Sequence, residues 1–135
     1  MRLLNHITFA VSDLEKSFNF YRNILGLKAV ARWNTGAYLL AGNIWIALVQ
    51  DSSINGSIHQ DYSHIAFDCS PEEFARLKTS LSEYGCQEWS LNQSEGDSFY
   101  FTDPDGTRLE IHVGTLESRL KNIQSENRPE NLQLF

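Results

Sequence analysis

Long hydrophobic runs, cysteine clusters and excess positive charge are all missing from this sequence of 135 residues. It has only two cysteines, Cys69 and Cys86, which are too few for a disulfide framework, so we expect both thiols to be reduced. No apolar stretch reaches the length of a membrane span, and the first residues lack the apolar segment of a signal peptide. We therefore expect a small cytoplasmic protein that does not associate with membranes.

The charge balance argues weakly against two classes of partner. The formal net charge of −6 disfavours nucleic acids and acidic membrane surfaces as partners. The fractions of hydrophobic residues (41%) and charged residues (21%) are typical of a globular protein. Because 135 residues are enough for one core and short for two independent domains, we expect a single domain over residues 1–135.

What the sequence does contain is an internal repeat. Residues 5–14 (NHITFAVSDL) and 63–72 (SHIAFDCSPE) align without gaps, so that His6 corresponds to His64. Each copy precedes a segment with helical periodicity and then several strand-like runs. The repeat is longer than solenoid repeats and predicts two βαβββ modules in an α+β fold. The modules and the C-terminal helix with its tail are expected at about residues 3–50, 62–114 and 115–135.

Capping signals and periodicity locate the elements of each module. Ser12 and Glu15 have the spacing of a capping box and predict a helix that begins at Ser12 and ends near residue 25. Ser70 and Glu73 predict the same start for a second helix, which Gly85 ends. Alternating apolar residues predict strands at residues 3–11, 28–33, 37–40, 44–49, 62–69, 86–91, 98–102 and 108–113.

Strand parity separates the polar residues from the core. Glu110 and His112 share one face of the last predicted strand, and His6, Thr8 and His64 lie opposite the apolar faces of the repeat strands. Because the apolar face of each sheet must cover its helix, these side chains are expected on the open faces of the sheets. Two histidines at matched repeat positions and a carboxylate suit a divalent metal ion, so we predict that His6, His64 and Glu110 are its ligands. The alternative is that each is an ordinary polar residue on a half-buried strand.

The repeat also indicates that one ligand is missing. Aligning residues 42–47 with residues 106–111 places Ile46 opposite Glu110, so the first module has no second carboxylate. Three protein ligands leave coordination positions for a substrate, which is the arrangement of a catalytic metal site.

Three further features are candidate binding elements. Residues 94–98 are rich in Ser, Gly and Asp, and they either direct hydroxyls and backbone groups onto an ion or form a surface turn. Arg119 either pairs with a substrate anion or is a solvated helix charge. Trp33, Tyr38 and Trp45 lie on adjacent predicted strands, where they either pack in the core or line a binding channel.

Paired βαβββ modules that carry His, His and Glu on their strands resemble the vicinal oxygen chelate (glyoxalase/bleomycin-resistance) superfamily. Within it, several segments are similar to the manganese-dependent fosfomycin glutathione transferases, and the likeness extends from about residue 3 to residue 120. These segments are ARWNTGAY (31–38), DYSH (61–64), SEGDSFYF (94–101), DPDG (103–106) and LEIHVG (109–114). The resemblance implies an antibiotic-resistance enzyme, a glutathione S-transferase that opens the epoxide of fosfomycin, and a domain-swapped homodimer.

The resemblance also implies roles for individual residues. His6, His64 and Glu110 match the Mn²⁺ ligands, with His6 supplied by the other chain of the homodimer. The residues that match catalytic groups are Thr8, Tyr100 and Arg119. The positions that match a K⁺ loop are Ser94, Glu95, Gly96, Asp97 and Ser98. The positions that match substrate-binding groups for fosfomycin or glutathione are Tyr38, Trp45, Tyr62, Ser90, Ser94 and Ser98.

Two positions depart from the family's pattern. Ser90 and Gln93 stand where the family usually has a lysine and a basic residue, so two cations are missing beside the expected phosphonate. This departure favours an alternative in which the same metal site serves a transferase, hydrolase or isomerase for another small oxyanion. A second alternative is a metal-free drug-binding module, against which the retained His6, His64 and Glu110 argue.

Overall fold

The computed structural model describes residues 3–54, 61–127 and 129–134, and in these ranges the chain forms two four-stranded sheets. The strands are β1 (His6–Val11), β2 (Lys28–Trp33), β3 (Gly36–Ala41), β4 (Ile44–Gln50), β5 (Ile65–Asp68), β6 (Glu88–Ser90), β7 (Asp97–Thr102) and β8 (Arg108–Val113). The helical segments are α1 (Leu14–Asn19), a π-helical segment (Phe20–Ile24), α2 (Pro71–Tyr84) and α3 (Leu116–Ser125).

The two sheets have the same topology. Their strand orders are β1-β4-β3-β2 and β5-β8-β7-β6, and in each sheet the first strand of the module is parallel to the last. This arrangement confirms the predicted α+β fold of paired βαβββ modules. Strands β5 and β6 are shorter than predicted, and β6 pairs with β7 through an irregular register. Between the two modules, residues 55–60 lie outside the described residues.

The first helix begins later than the sequence predicts. Asp13 is its N-cap, and its Oδ1 accepts a hydrogen bond from the Lys16 N–H at 3.0 Å. The Ser12 N–H and hydroxyl both donate to the Asp105 carboxylate, so Ser12 is not free to cap the helix. The predicted capping box of Ser12 and Glu15 is therefore wrong, because a tertiary partner competes for Ser12.

The second helix begins where the sequence predicts. The Glu73 N–H donates to Ser70 Oγ at 3.2 Å, and the Ser70 N–H donates to Glu73 Oε2 at 2.9 Å. These two bonds confirm the predicted capping box. Gly85 ends α2 with a φ of 87°, a conformation that favours glycine. None of the helices in the described ranges has both the length and the apolar character needed to cross a bilayer.

The strand register corrects the alignment of the two modules. Ala66 pairs with Glu110 between β5 and β8, whereas Thr8 pairs with Ala47 between β1 and β4. Because Thr8 corresponds to Ala66 in the repeat, Ala47 is the counterpart of Glu110. Ile46 lies on the other face of β4 and is fully buried in the core. The predicted match of Ile46 with Glu110 is therefore wrong by one residue, and the first sheet still has no carboxylate at that position.

The hydrophobic core lies between the helices and one face of each sheet. The π-helical segment contributes Phe20 and Tyr21, which are both fully buried. The Phe20 ring contacts Tyr84 and Phe101, at centroid distances of 5.4 and 6.3 Å, and so connects the two modules. The opposite faces of the sheets, here called the open faces, carry the polar residues, and His6 and Thr8 are exposed there.

Hydrogen bonds to two buried aspartates, Asp103 and Asp105, join the modules at the turn over residues 103–106. Tyr21 Oη donates to Asp103 Oδ2 at 2.7 Å, and Asp105 accepts from Ser12. The other oxygen of Asp103 accepts from the N–H groups of Asp105 and Thr107, at 2.9 and 2.8 Å. Burial is the main cause that raises the pKa of Asp103 and, far more strongly, the pKa of Tyr21. The turn is therefore a directional polar contact inside an otherwise apolar core.

Replacing Tyr21 by Phe tests the contribution of this contact. The variant leaves the buried Asp103 carboxylate with one donor fewer, so we expect the free energy of unfolding to fall by about 1–3 kcal/mol in urea denaturation. Tyr84→Phe is the matched control, because Tyr84 also contacts Phe20 but is only partly buried. It should change stability by less than about 0.5 kcal/mol. Equal losses in the two variants would contradict a specific role for the Tyr21–Asp103 bond.

Candidate metal centre

Two of the three predicted metal ligands meet on the open face of the second sheet. His64 Nε2 lies 3.0 Å from Glu110 Oε2, because the parallel pairing of β5 with β8 brings the two side chains side by side. His64 Nδ1 lies 2.7 Å from the backbone carbonyl of Tyr62. A carbonyl only accepts hydrogen bonds, so Nδ1 carries a proton and Nε2 is the nitrogen that faces the site. This arrangement suits a histidine that coordinates a metal ion through Nε2.

The Glu110 carboxylate is buried, and each of its two oxygens lies close to a polar side chain. Its side chain is 8% exposed, and Oε1 accepts a hydrogen bond from Ser98 Oγ at 2.5 Å. Ser98 Oγ also lies 2.7 Å from His112 Nδ1. Because the Ser98 hydroxyl holds one oxygen, the other is directed towards His64, and hydrogen bonds of this kind orient carboxylates that bind metal ions.

The third predicted ligand, His6, lies on the first sheet. It is exposed, its Nδ1 lies 2.7 Å from Asn5 Oδ1, and its ring packs against Trp45 with a centroid distance of 4.5 Å. With Oδ1 as the acceptor, Nδ1 carries the proton and Nε2 keeps a lone pair for a metal ion. Within the described residues, no three His, Cys, Asp or Glu side chains converge into a metal-binding group. The donor types fit a divalent ion, but one chain brings only two of the predicted ligands together.

Residues predicted to line a channel gather around His6. The rings of Tyr38 and Trp45 lie 4.9 Å apart, and those of Trp33 and Tyr38 lie 4.7 Å apart. Thr8 lies two residues after His6 on the same face of β1. Trp45 Nε1 is buried and lacks a hydrogen-bond partner within the described residues. These aromatic side chains cover the open face of the first sheet and are not members of the buried core.

Several predicted substrate-binding residues line a cavity beside His64, whose ring contacts the rings of Tyr62 and Tyr100. A surface cavity of about 440 Å³ is lined by Tyr62, Ser90, Leu91, Gln93, Ser94 and Tyr100. Tyr100 is 4% exposed, and burial, followed by its contact with Tyr62, raises the pKa of its phenol. The Tyr100 hydroxyl therefore stays protonated at neutral pH and can donate to an anion. None of the lining residues carries a formal charge, so cationic groups must come from outside this lining.

Arg119 brings a cation to the same face from α3. Its Nη2 lies 3.4 Å from His112 Nε2 and 3.5 Å from the Glu95 carbonyl, and its Nε lies 3.7 Å from the Glu95 carboxylate. Nε is buried and makes no hydrogen bond within the described residues. A guanidinium has more N–H groups than these contacts use, so Arg119 keeps donors for a bound anion.

The loop over residues 94–98 is a fixed turn. Asn92 Oδ1 accepts from the Ser94 N–H at 3.0 Å, and Asn92 Nδ2 donates to the Gly96 carbonyl at 2.8 Å. Gly96 has a φ of 81°, and a Cβ there would clash with the Val113 carbonyl oxygen. The loop consequently directs Ser98 into the site, where it contacts Glu110, while the Glu95 side chain turns towards α3.

Sequence reasoning assigned no role to three residues that shape the site: Asn92, Trp89 and His112. The Trp89 ring lies 5.3 Å from the His64 ring and 5.1 Å from the Tyr100 ring, and its Nε1 donates to the Leu109 carbonyl at 3.1 Å. For His112, strand parity is the one indication in the sequence, because it puts His112 on the same face as Glu110. Nothing in the local pattern around Asn92 or Trp89 distinguishes them from ordinary loop and strand residues.

Two mixed sheets of one topology, each with helices on one face and polar site residues on the other, define a protein of the paired βαβββ class. The profile of the Glyoxalase/Bleomycin resistance protein/Dioxygenase superfamily matches residues 3–111. The chain is 49% identical over 122 residues to the glutathione transferase FosA of Serratia marcescens, covering 89% of this chain and 86% of that protein. It is 38% identical over 130 residues to the metallothiol transferase FosB of Lysinibacillus sphaericus, covering 91% and 90%.

A solved structure agrees with these relatives. It is a variant of the fosfomycin resistance protein FosX from Listeria monocytogenes, complexed with Mn(II) and 1S,2S-dihydroxypropylphosphonic acid. It matches with a TM-score of 0.76 and 31% identity, over 90% of this chain and 98% of that chain. The chain therefore belongs to the Glyoxalase/Bleomycin resistance protein/Dioxygenase superfamily and, within it, to the fosfomycin resistance proteins. This confirms the family predicted from the sequence.

Proposed function

We propose that this protein is a metal-dependent glutathione transferase that opens the epoxide ring of fosfomycin. The observation that carries the proposal is the His64–Glu110 pair, because it lies beside anion donors on one open sheet face. The 49% identity to a glutathione transferase supports glutathione as the thiol, and similarity to a metallothiol transferase supports a metal-dependent thiol transfer. Glutathione also makes the cytoplasm the proposed location.

We further propose that residues 1–135 act as one domain and that the complete site forms between two copies of the chain. His6, Thr8, Tyr38 and Trp45 lie on one sheet, whereas His64, Glu110 and the anion donors lie on the other. Within the described residues, no hydrogen bond or ring contact joins these two groups. A two-fold homodimer would place the first group of one copy against the second group of its partner and so form two identical sites.

In this assembly, His6, His64 and Glu110 would hold Mn²⁺. When bound, the ion supplies Lewis-acid stabilisation of the negative charge that develops on the epoxide oxygen. Tyr100, kept protonated by burial, donates to the phosphonate, and Arg119 neutralises part of its charge. The sulfur of the glutathione thiolate forms a C–S bond as the epoxide C–O bond breaks, and the oxygen then takes a proton.

Other predicted residues position the reactants. We assign to Thr8 the place beside the epoxide, and to Tyr38 and Trp45 the wall of the thiol channel. Ser94 and Ser98 donate hydroxyls to the phosphonate, and holding the ring in line with the thiolate lowers the barrier by orientation. Hydroxyls and carbonyls of the turn over residues 94–98 are the oxygen ligands that we propose for K⁺. Ser90 and Tyr62 complete the lining of the anion cavity.

Phosphorus NMR of fosfomycin with the Mn²⁺-loaded protein tests the function. We expect a glutathione adduct, no reaction after chelation, and a loss of turnover in Glu110→Gln of at least about a hundredfold, since that variant loses a ligand charge. Glu117→Gln is the matched control, because this glutamate lies exposed on α3 in a pair with Lys121. No consumption of fosfomycin by metal-loaded protein with any thiol would overturn the assignment.

Hydrolysis is the second candidate, and one observation favours it. The similar FosX structure holds 1S,2S-dihydroxypropylphosphonic acid, a diol that corresponds to addition of water to the epoxide. The same NMR experiment separates the two activities. Diol that forms without any thiol identifies a hydrolase, whereas an adduct that requires thiol identifies a transferase.

Mixing two inactive variants tests whether the site is shared. His6→Ala and Glu110→Ala each remove one proposed ligand, and each alone should be inactive. If the site spans two copies, co-expression gives mixed dimers that contain one intact site each. Random pairing then restores about a quarter of wild-type activity, because half of the dimers are mixed and each has one of two sites. Failure of the mixture to regain activity, with mixed dimers verified by mass, would place all ligands within one chain.

Ser90→Lys tests the charge of the anion cavity. Ser90 lines the cavity, and a lysine there adds a cation beside the phosphonate. A charge-assisted hydrogen bond is worth about 1.5 kcal/mol or more, so we expect KM for fosfomycin to fall roughly tenfold. Ser90→Met is the control of similar length without charge, and it should not lower KM. An unchanged or raised KM in Ser90→Lys would indicate that the phosphonate does not bind beside Ser90.

A further inference from the structure

A chain of hydrogen bonds crosses the open face of the second sheet from Arg119 to Glu110. Arg119 Nη2 lies 3.4 Å from His112 Nε2, His112 Nδ1 lies 2.7 Å from Ser98 Oγ, and Ser98 Oγ lies 2.5 Å from Glu110 Oε1. The four residues come from α3, β8 and β7. The function proposed above uses Arg119, Ser98 and Glu110 but gives His112 no part.

The donors and acceptors in this chain of bonds have one consistent order. An ionised Glu110 only accepts, so the single hydroxyl hydrogen of Ser98 points to Glu110. Ser98 Oγ then accepts from His112, which must carry its proton on Nδ1. Arg119 only donates, so it requires an unprotonated Nε2 on His112. Each bond therefore runs in the same direction, from Arg119 through His112 and Ser98 to Glu110.

The His112 ring packs against two glycines, which leave space for it. A Cβ on Gly114 would lie 2.6 Å from His112 Nε2, and a Cβ on Gly96 would lie 3.0 Å from His112 Cε1. The ring therefore occupies space that any larger residue at either glycine would take. The His112 side chain is 16% exposed, and the Glu110 side chain is 8% exposed. Hydrogen bonds in such a shielded place are stronger than those in open water.

We propose that His112, as its Nδ1–H tautomer, is a positioning residue that connects the anion-binding Arg119 to the metal-binding Glu110. Its Nε2 holds the guanidinium, and its Nδ1–H fixes the Ser98 hydroxyl that orients the carboxylate. The roles of the two ends depend on the proposed function, whereas the hydrogen bonds and the tautomer do not. A change at His112 should therefore affect either anion binding or metal binding, according to which nitrogen is replaced.

Two substitutions separate the two nitrogens of His112. His112→Asn can place an N–H near the position of Nδ1 and keep the bond to Ser98, but it is too short to reach Arg119. His112→Gln can place an oxygen near Nε2 and accept from Arg119, but it cannot donate to Ser98. We expect His112→Asn to weaken methylphosphonate binding roughly tenfold and to change Mn²⁺ affinity little. We expect His112→Gln to weaken Mn²⁺ binding roughly tenfold and to change anion binding little.

The measurements use the full chain. Electron paramagnetic resonance of free Mn²⁺ gives the metal affinity, and calorimetry of the Mn²⁺-loaded protein gives methylphosphonate affinity. Lys121→Gln is the matched control, because Lys121 lies on the same helix two residues beyond Arg119 and is 74% exposed. It should leave both affinities unchanged. If both His112 variants lower both affinities in parallel with thermal stability, His112 is merely structural and the proposal is overturned.

Nitrogen NMR of metal-free protein with ¹⁵N-labelled histidine keeps this test apart from the proposed function. We expect the ring signals that disappear in His112→Asn to be those of a histidine with a protonated Nδ1 and an unprotonated Nε2. Its Nδ1 resonance should shift in Ser98→Ala, which removes the acceptor. A proton on Nε2 of His112 in the wild-type protein would overturn the proposal. If the wild type consumes no fosfomycin but shows the expected tautomer, the proposed function fails and the hydrogen-bonded connection stands.

Discussion

The buried bonds between the turn over residues 103–106 and the first module are the contact on which the rest of the structure depends. Apolar burial supplies most of the driving force for folding, but it has no direction. The bonds from Tyr21 to Asp103 and from Ser12 to Asp105 do have direction, and Ser12 follows β1 immediately. The turn joins β7 to β8 of the second sheet. These bonds therefore fix the β7–β8 turn against the C-terminal end of β1 in the first sheet.

This arrangement places α1, the π-helical segment and α2 on the core side of the sheets, opposite the polar faces. The Phe20 contacts with Tyr84 and Phe101 fill the interior, so the faces that carry His6 and His64 are turned away from it. On the second of these faces, Arg119 of α3 contacts His112. Large aromatic residues on these faces remain accessible, with Trp33 42% and Tyr62 66% exposed. Exposed aromatic groups that are rimmed by polar side chains are typical of surfaces that bind a partner or ligand. The fold and the proposed shared site therefore have one cause.

The sequence predicts the parts of this structure that depend on local rules. The two-residue period of a strand places Glu110 and His112 on one face, and the repeat places His6 and His64 at equivalent positions. Prediction from the sequence fails where a residue far along the chain determines the local structure. Ser12 cannot cap α1 because Asp105, far along the chain, takes its hydrogen-bonding groups. The one-residue error at Ile46 has a similar origin, since turn lengths between strands set the register and the alternating pattern does not.

Because the sequence does not show contacts between distant residues, the role of His112 becomes visible only in the structure. Strand parity shows the face on which His112 lies, but not its side-chain partners, Ser98 on β7 and Arg119 on α3. The contact with Arg119 is important because none of the residues that line the cavity near Ser90 carries a formal charge. Neutral hydrogen bonds contribute about 0.5–1.5 kcal/mol each, whereas bonds to charged groups contribute about 1.5–3 kcal/mol. With serine and glutamine at positions 90 and 93, Arg119 would supply a large share of the stabilisation of an anion bound as we propose. Correct placement of Arg119 relative to Glu110 is then the constraint on which the proposed metal binding and the proposed anion binding both depend.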